Sequence, residues 1–369
     1  MIKLFKIRFH GLQRKLRLSR SFTSATIVQH ESKPVRALIM KSVGCWKEIE
    51  VSQLQIPAFC AKNQIKVSVD LCGVNFADVY NVQGILSERK PPFVFGLECI
   101  GRVIDKGNDD PSFKIGDRVA CYSPEGGLFQ ETVVISKENC FAVPEQIPSE
   151  DAVSLLANYL TAYFSLFHSA NLCESYSILI HSIAGGVGWA ATQLANTVPN
   201  VRVYGTCSES KHNMVKSNGV NLPLTYNNYV IELKRRDIKF NIVIDNIGGE
   251  SIRHSLDLLK PLGHLVVTGA NCVVSEEKHV VENALKSLNY NIEMRTLVCD
   301  NKSISGLHLG TLLAKSPQTI HDAMKNLFQL YLDGKVKPHI DSIWPLNKGA
   351  EAIKFLADRK NVGKVLLSL

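Results

Sequence analysis

An α/β fold, a doubly wound parallel sheet joined to a smaller β-rich domain, is predicted by three features of the sequence. The first is Ser177–Leu194, SILIHSIAGGVGWAATQL. Its apolar run Ser177–His181 breaks into the small-residue turn Ala184-Gly185-Gly186-Val187-Gly188 and then into an apolar-periodic segment, which reads as strand, turn and helix. The second is repetition. Val201–Thr206, Asn241–Asp245 and His264–Gly269 are further short apolar runs separated by helical patterns. Strands alternating with helices make a parallel sheet whose ligands sit at the carboxyl ends of the strands. The third is a strand-rich, helix-poor stretch over 35–150 that precedes these units.

Taken from the start of the chain, charge comes first. The net charge of +8 is concentrated in a leader that has no acidic residue before Glu31 and carries Lys3, Lys6, Arg8, Arg14, Lys15, Arg17 and Arg20. Setting those aside takes the 42 basic residues to 35, against 34 acidic ones, so the body is nearly neutral and gives no support for nucleic-acid binding. Ile2, Phe5, Phe9, Leu12 and Leu16 fall on one face of a helix, and the pattern reads as a mitochondrial transit peptide over 1–30. The alternative is a retained basic helix on an anionic membrane surface. Apolar content of 45% and charged content of 21% are those of an ordinary globular chain, and no apolar run approaches the length of a membrane span. The ten cysteines form no C-x-x-C pair, so they read as reduced thiols rather than a zinc cluster.

The β-rich region is read from Ile65–Leu71, Glu98–Ile104, Arg118–Ser123 and Gln130–Ser136, separated by turn signals such as Pro91-Pro92 and Lys114-Ile115-Gly116-Asp117. Ser149–Ser169 reads as a bridging helix. Beyond the parallel sheet, Ser316 and Pro317 supply a helix N-cap and first residue, with Leu332 near its end and Gly334 just past it. A strand at Lys364–Ser368 closes the chain. These boundaries divide it into 31–157 with 335–369 as a discontinuous β-rich domain, and 158–334 as the parallel-sheet domain.

The turn Ala184–Gly188 opens a helix, where free N–H groups and the positive dipole end suit a pyrophosphate. Gly185 and Gly188 allow close backbone approach and tight helix–strand packing, although Ile183 stands where a dinucleotide fingerprint has glycine. The second strand ends Gly205-Thr206-Cys207-Ser208-Glu209-Ser210-Lys211. Glu209 lies past the strand end and is a poor ribose partner. Ser208 and Lys211, with Tyr226 closing the corner, suit a 2′-phosphate and favour NADPH. For Lys211 the other reading is a solvated helix-end lysine.

Several segments together resemble the quinone-oxidoreductase branch of the medium-chain dehydrogenase/reductase superfamily: Gly73-Val74-Asn75-Phe76-Ala77-Asp78, Gly96-Leu97-Glu98-Cys99-Ile100-Gly101-Arg102-Val103, Gly116-Asp117-Arg118-Val119, Gly127–Glu131, Ala184–Gly188 and Asp245-Asn246-Ile247-Gly248-Gly249. Within the branch, Asn158–Tyr163, Gly306–Gly310, Lys337–Pro345 and Lys360–Leu367 are similar to the synaptic vesicle membrane protein (VAT) homologues. The resemblance implies a GroES-like catalytic domain flanking a Rossmann domain, NADPH in the cleft between them, a quinone or α,β-unsaturated carbonyl as acceptor, and a homodimer. It also keeps open a cofactor-binding protein that associates peripherally with a membrane and has weak or no catalysis.

Zinc dehydrogenases of the superfamily hold their metal through cysteine and histidine. Here Asn75 and Leu97 stand at those positions, so no metal is expected. The resemblance assigns catalysis to Asn75, which donates to the acceptor's carbonyl or else bonds its own turn; to Asp78, which orders that loop; and to Tyr80, which is a proton donor or a core aromatic. It assigns the nicotinamide half of the cofactor to Asn246, Gly269, His308 and Leu309, with Asn361 and Lys364 reaching in from the last strand. His308 reads as structural, and Lys364 alternatively as a strand-edge charge. His181 reads as a packed strand-end residue. Where relatives have a tyrosine after the pair Gly84-Ile85, this chain has Leu86. The substrate walls are expected around Ile85–Pro92 and Asn271–Leu297.

Overall fold

Eight strands precede the bridging helix in the computed structural model. It describes residues 34–85, 89–107, 111–275 and 291–369, with 282, 285 and 286. The leader over 1–30, Leu86 and parts of both expected substrate walls lie outside the described residues. The eight strands are β1 Val35–Met40, β2 Ile49–Leu54, β3 Gln64–Val74, β4 Phe93–Val94, β5 Glu98–Lys106, β6 Arg118–Tyr122, β7 Thr132–Ser136 and β8 Cys140–Ala142. β3, β5, β6 and β8 are antiparallel neighbours in that order, and β7 pairs with β3 as well. Alternation sets the faces: Ile65, Val67 and Val69 of β3 are buried while Lys66 and Ser68 between them are half-exposed. Five of the ten cysteines are buried, four of them (Cys72, Cys99, Cys121, Cys140) in one apolar core of this region.

Six more strands, β9 Ser177–Ile180, β10 Arg202–Thr206, β11 Leu222–Leu224, β12 Phe240–Asp245, β13 Leu259–Val267 and β14 Ser303–Gly306, form a second sheet in the order β11-β10-β9-β12-β13-β14. Every pairing is parallel. The order reverses between β9 and β12, which opens a crevice at the carboxyl ends of those two strands. β9 is buried on both faces: Ile178 and Ile180 enter one apolar core, and Leu179 enters another on the opposite side.

The expected helix over Ser149–Ser169 is continuous but not uniform. α-Helical turns at Ser149–Ser154 and Leu160–Tyr163 alternate with π-helical ones at Leu155–Tyr159 and Phe164–Ser169. Helix Pro317–Leu332 starts on its proline after Ser316 and gives way to Gly334 at φ 67°, as its end signals predict. The last strands, β15 Ile340–Pro345 and β16 Lys364–Ser368, return to the first region, where β16 pairs antiparallel with β3 and parallel with β15. β16 therefore carries C-terminal side chains into the neighbourhood of Gly73–Val74.

Candidate active site

The glycine turn is built by mutual accommodation between β9 and β10. Ser182 takes φ 53°, and the Ile183 N–H reaches across to Thr206 O at 2.9 Å. Ile183 is fully buried, and its side chain fills the space that a Cβ on Gly205 of β10 would need. The glycine absent at 183 is thus compensated one strand away. A Cβ on Gly188 would stand 2.5 Å from Ile183 Cα, so helix Gly186–Ala195 approaches the turn as closely as backbone permits. A Cβ on Gly186 would collide with the Asn158 amide, which the bridging helix delivers. The first-turn N–H groups of the helix have no partner within the helix and open on the cleft.

One cleft of about 1450 Å³ lies at this point, and sixteen of the seventeen sequence-predicted site residues line it. They are Asn75, Tyr80, Ala184, Gly185, Gly186, Val187, Gly188, Ser208, Lys211, Tyr226, Asn246, Gly269, His308, Leu309, Asn361 and Lys364. Asp78 is the exception: it is fully buried and does not reach the cleft.

At the end formed by the second strand, Ser208, Lys211 and Tyr226 come together with Arg359. Lys211 is not a solvated lysine. Its Nζ donates to Arg359 O at 2.6 Å and to Asn361 O at 2.7 Å, tying the loop before β16 to the parallel sheet, and burial lowers its pKa. The Gly363 N–H donates to Ala184 O at 2.8 Å and fastens the same loop to the glycine turn. Arg359 takes φ 56°, and its Nη2 donates to Asn271 O at 3.1 Å. The sequence reading missed Arg359, although the charged run Asp358-Arg359-Lys360 before Asn361 was a visible signal.

At the other end stand Asn246, Thr268, Gly269, Tyr80, His308 and Leu309. Asn246 Oδ1 is buried and has no hydrogen-bond partner among the described residues. The Tyr80 hydroxyl donates to Asn271 Oδ1 at 2.7 Å and accepts from the Ala270 N–H at 3.1 Å; burial, partly offset by that N–H, pushes its pKa up to about 12. His308 is the N-cap of helix Leu309–Lys315, its Nδ1 accepting from the Thr311 N–H at 3.1 Å, which is a structural role. His181 and Asp245 lie beneath the cleft floor. Burial lowers the pKa of His181, whose ring nitrogens meet Thr206 Oγ1 at 3.0 Å and Ser255 Oγ at 3.2 Å. Burial works to raise the Asp245 carboxyl, but His181, the hydroxyls of Ser251 and Ser255 and the Gly248 N–H together hold it below its ordinary value.

The centre of the cleft is a buried polar cluster. Asn75 precedes helix Phe76–Gln83, and its amide nitrogen donates to Gly73 O at 3.1 Å and to Glu98 Oε1 at 2.8 Å. Its Oδ1 accepts from Lys364 Nζ at 2.8 Å, an arrangement that fixes which amide atom is which, because a flipped amide would set its oxygen against two acceptors and its nitrogen against the ammonium. Lys364 also pairs directly with Glu98 Oε1. Glu98 Oε2 accepts from the Ala157 N–H at 2.8 Å, inside a π-helical turn. Glu98 is fully buried and occupies the space that a Cβ on Gly73 would take. Asp78 sits behind, accepting from the backbone N–H groups of Asn75 at 2.9 Å and Gly96 at 3.3 Å; burial raises its carboxyl to about 7 against the pull of those bonds and of Lys364.

This geometry bears on three residues whose readings the sequence left open. Both donor hydrogens of Asn75 are engaged inside the protein, which favours its reading as a residue that bonds its own turn over that of a donor to the acceptor. The Tyr80 proton is engaged by Asn271. Lys364 is not a strand-edge charge but is 2% exposed and paired. Glu98, the partner that organises the cluster, went unremarked as a site residue although it sits in the motif Gly96–Val103. Among the described residues, no group of three or more His, Cys, Asp or Glu is placed to hold a metal ion. At the two positions where the resemblance puts zinc ligands, this chain presents a committed amide, Asn75, and an apolar Leu97, and neither side chain fits a zinc site.

Residues 61–145 match the family of alcohol dehydrogenase GroES-like domains, and residues 224–367 match that of zinc-binding dehydrogenases. The chain is 37% identical over 341 residues to the synaptic vesicle membrane protein VAT-1 homolog of Mus musculus, covering 90% of this chain and 84% of that protein. The crystal structure of a human VAT-1 homolog-like protein superposes with a TM-score of 0.80 at 33% identity, covering 92% and 99% of the two chains. The Escherichia coli quinone oxidoreductase complexed with NADPH shares the fold, with a TM-score of 0.80 at 23% identity over 90% of this chain and 100% of that one.

Proposed function

Because the chain belongs to the quinone-oxidoreductase branch of the medium-chain dehydrogenase/reductase superfamily, we propose that it is a reductase that uses NADPH, without zinc, to reduce quinones or α,β-unsaturated carbonyls. The observation that carries the proposal is the convergence on one cleft of a helix N-terminus behind a glycine turn, a Ser208–Lys211–Tyr226–Arg359 corner and the unpartnered acceptor Asn246 Oδ1. These fit a dinucleotide phosphate by phosphate and end to end. The backbone of Gly185–Gly188 would hold the pyrophosphate. Arg359 and Ser208 would hold the 2′-phosphate, with Lys211 supporting Arg359 through its carbonyl. Asn246 Oδ1 would accept from the carboxamide of the nicotinamide. Bound there, NADPH supplies a hydride; the chain's residues orient it and exclude water. An acceptor that needs little polarisation suits a site without a Lewis acid.

A second reading, a cofactor-binding protein acting at a membrane surface, has one observation in its favour: the relatives reported above are named synaptic vesicle membrane proteins. Among the described residues no helix is long and apolar enough to cross a membrane, and the association proposed is a peripheral one. A mitochondrial location, resting on the basic leader, and a homodimer complete the proposal. The experiment is a titration of NADPH into the purified protein beside NADPH oxidation with 9,10-phenanthrenequinone and with a simple enone. Saturable binding with turnover supports the reductase. Binding without turnover on either acceptor supports the second reading, and no binding overturns both.

A further inference from the structure

We propose that the Lys364 ammonium is the electrophile of this site, the N–H donor that stabilises negative charge on the acceptor's carbonyl oxygen as the acceptor is reduced. The inference rests on the reductase reading.

It follows from a count of donors around the cleft centre. Asn75 has two amide hydrogens, bonded to Gly73 O and Glu98 Oε1. Tyr80 has one hydroxyl hydrogen, bonded to Asn271 Oδ1. Lys364 has three ammonium hydrogens. One goes to Asn75 Oδ1, one to Glu98 Oε1, and the third has no acceptor among the described residues. Lys364 lines the cleft. Its third hydrogen is therefore the one donor of the cluster that a bound acceptor can take without breaking a protein hydrogen bond.

The surroundings hold that ammonium in place. Glu98 is tied at both oxygens, by Lys364 and Asn75 on Oε1 and by the Ala157 N–H on Oε2, so it cannot swing away. Asn75 braces the ammonium from the side, and the absence of a Cβ on Gly73 gives Glu98 its room. A preorganised charge in a site with little water stabilises a developing oxyanion more than the same charge does in solvent. Asn75 and Glu98 are then positioning residues acting through Lys364.

For an enone the electron balance is as follows. A C–H bond forms at the β-carbon as the C4–H bond of the reduced nicotinamide breaks, and both electrons of that bond enter the acceptor. The displaced π pair gathers on the carbonyl oxygen as an enolate, which accepts the Lys364 N–H. A proton from bulk water then goes to the α-carbon, giving the saturated ketone, and Lys364 keeps its own proton throughout. Per turnover the acceptor gains two electrons, a hydride hydrogen and one solvent proton.

The test is Lys364→Met assayed on an enone and on 9,10-phenanthrenequinone, with NADPH affinity measured separately by fluorescence titration. Quinones need less help to accept charge, so the ratio of enone to quinone turnover is the diagnostic, and it does not depend on how much of the sample is folded. The expected result is a loss of enone kcat on the order of 10²-fold, a smaller loss with the quinone, and little change in NADPH affinity. Removing Lys364 alone strands the Glu98 carboxylate in the interior; the double variant Lys364→Met/Glu98→Gln removes both charges and carries the same expectation. An unchanged enone-to-quinone ratio in both variants overturns the inference while leaving the reductase reading intact. A wild-type protein with no turnover on either acceptor overturns the reductase reading and the inference with it.

Discussion

Asn75 shows what one side chain does when its neighbours are known. The sequence offers it as a donor to a substrate carbonyl, because it stands at the mouth of a helix in a superfamily motif. Its two hydrogens are taken by Gly73 O and Glu98 Oε1. Those bonds depend on a glutamate twenty-three residues later and a lysine near the end of the chain, which local patterning cannot bring together. Asp78 behind it makes a separate, titratable prediction. Its carboxyl is raised by burial to about 7 from an ordinary 3.8. The folded chain therefore holds that proton at pH values where the unfolded chain has released it. This contribution to stability is fully present below about pH 3.8 and is lost as pH rises through about 7. Asp78→Asn cannot titrate. The melting temperature of the variant relative to wild type should thus climb between pH 5 and pH 8, whatever constant penalty comes from the lost acceptor. Melting curves at three pH values check this, and parallel curves would show that Asp78 is ionised throughout.

Two elements carry the proposed cofactor side. Gly188 has no room for a Cβ, since Ile183 Cα would be 2.5 Å away and backbone cannot yield. Gly188→Ala should cost about 1–3 kcal/mol of stability, in the range of other overpacking changes, read by denaturant unfolding. It should also weaken NADPH binding by shifting the turn, whereas Gly334→Ala, at a position with open space around it, should strain only a surface turn. The loop before β16 is the second element. Arg359 adds a guanidinium to a corner that Ser208 and Tyr226 share. Arg359→Ala should raise the NADPH dissociation constant about tenfold or more, the loss of a charge-assisted phosphate contact, and leave NADH affinity nearly unchanged. Equal weakening of both nucleotides would place the guanidinium away from the 2′-position. The strand–turn–helix of this region was legible because its signals are local: an apolar run, small residues, then helical periodicity. Arg359 was not, because its position depends on a chain return of more than a hundred residues. The π-helical turns at Leu155–Tyr159 were also invisible: an apolar helix reads the same whether or not one N–H, here that of Ala157, is captured by Glu98.

Over the whole molecule, the parallel sheet with its reversal between β9 and β12, the antiparallel region before it and the return of β16 to β3 follow the predicted class. Periodicity carried that much because each strand announces itself within a few residues. The cleft needed the whole chain, since Gly73, Glu98, Ala157 and Lys364 meet at one point from four separate segments. One consequence is global. A ligand that spans the glycine turn, the Arg359 loop and the Asn75 cluster ties those segments together and binds only the folded state. Saturating NADPH at one hundred times its dissociation constant should therefore stabilise the fold by about 2.7 kcal/mol, visible as a rise in melting temperature, with a smaller rise for NADH at the same concentration.

The most direct measurement is transfer of the cofactor's own hydrogen. NADPH carrying deuterium at C4, prepared separately as each stereoisomer, is incubated with the full-length protein and an enone, and the product is analysed by mass spectrometry. The account predicts one deuterium at the β-carbon from one stereoisomer and none from the other, since a single cleft presents a single face of the nicotinamide. A product without deuterium from either isomer, or no product while NADPH is bound, would contradict a reductase and leave a nucleotide-binding protein in its place.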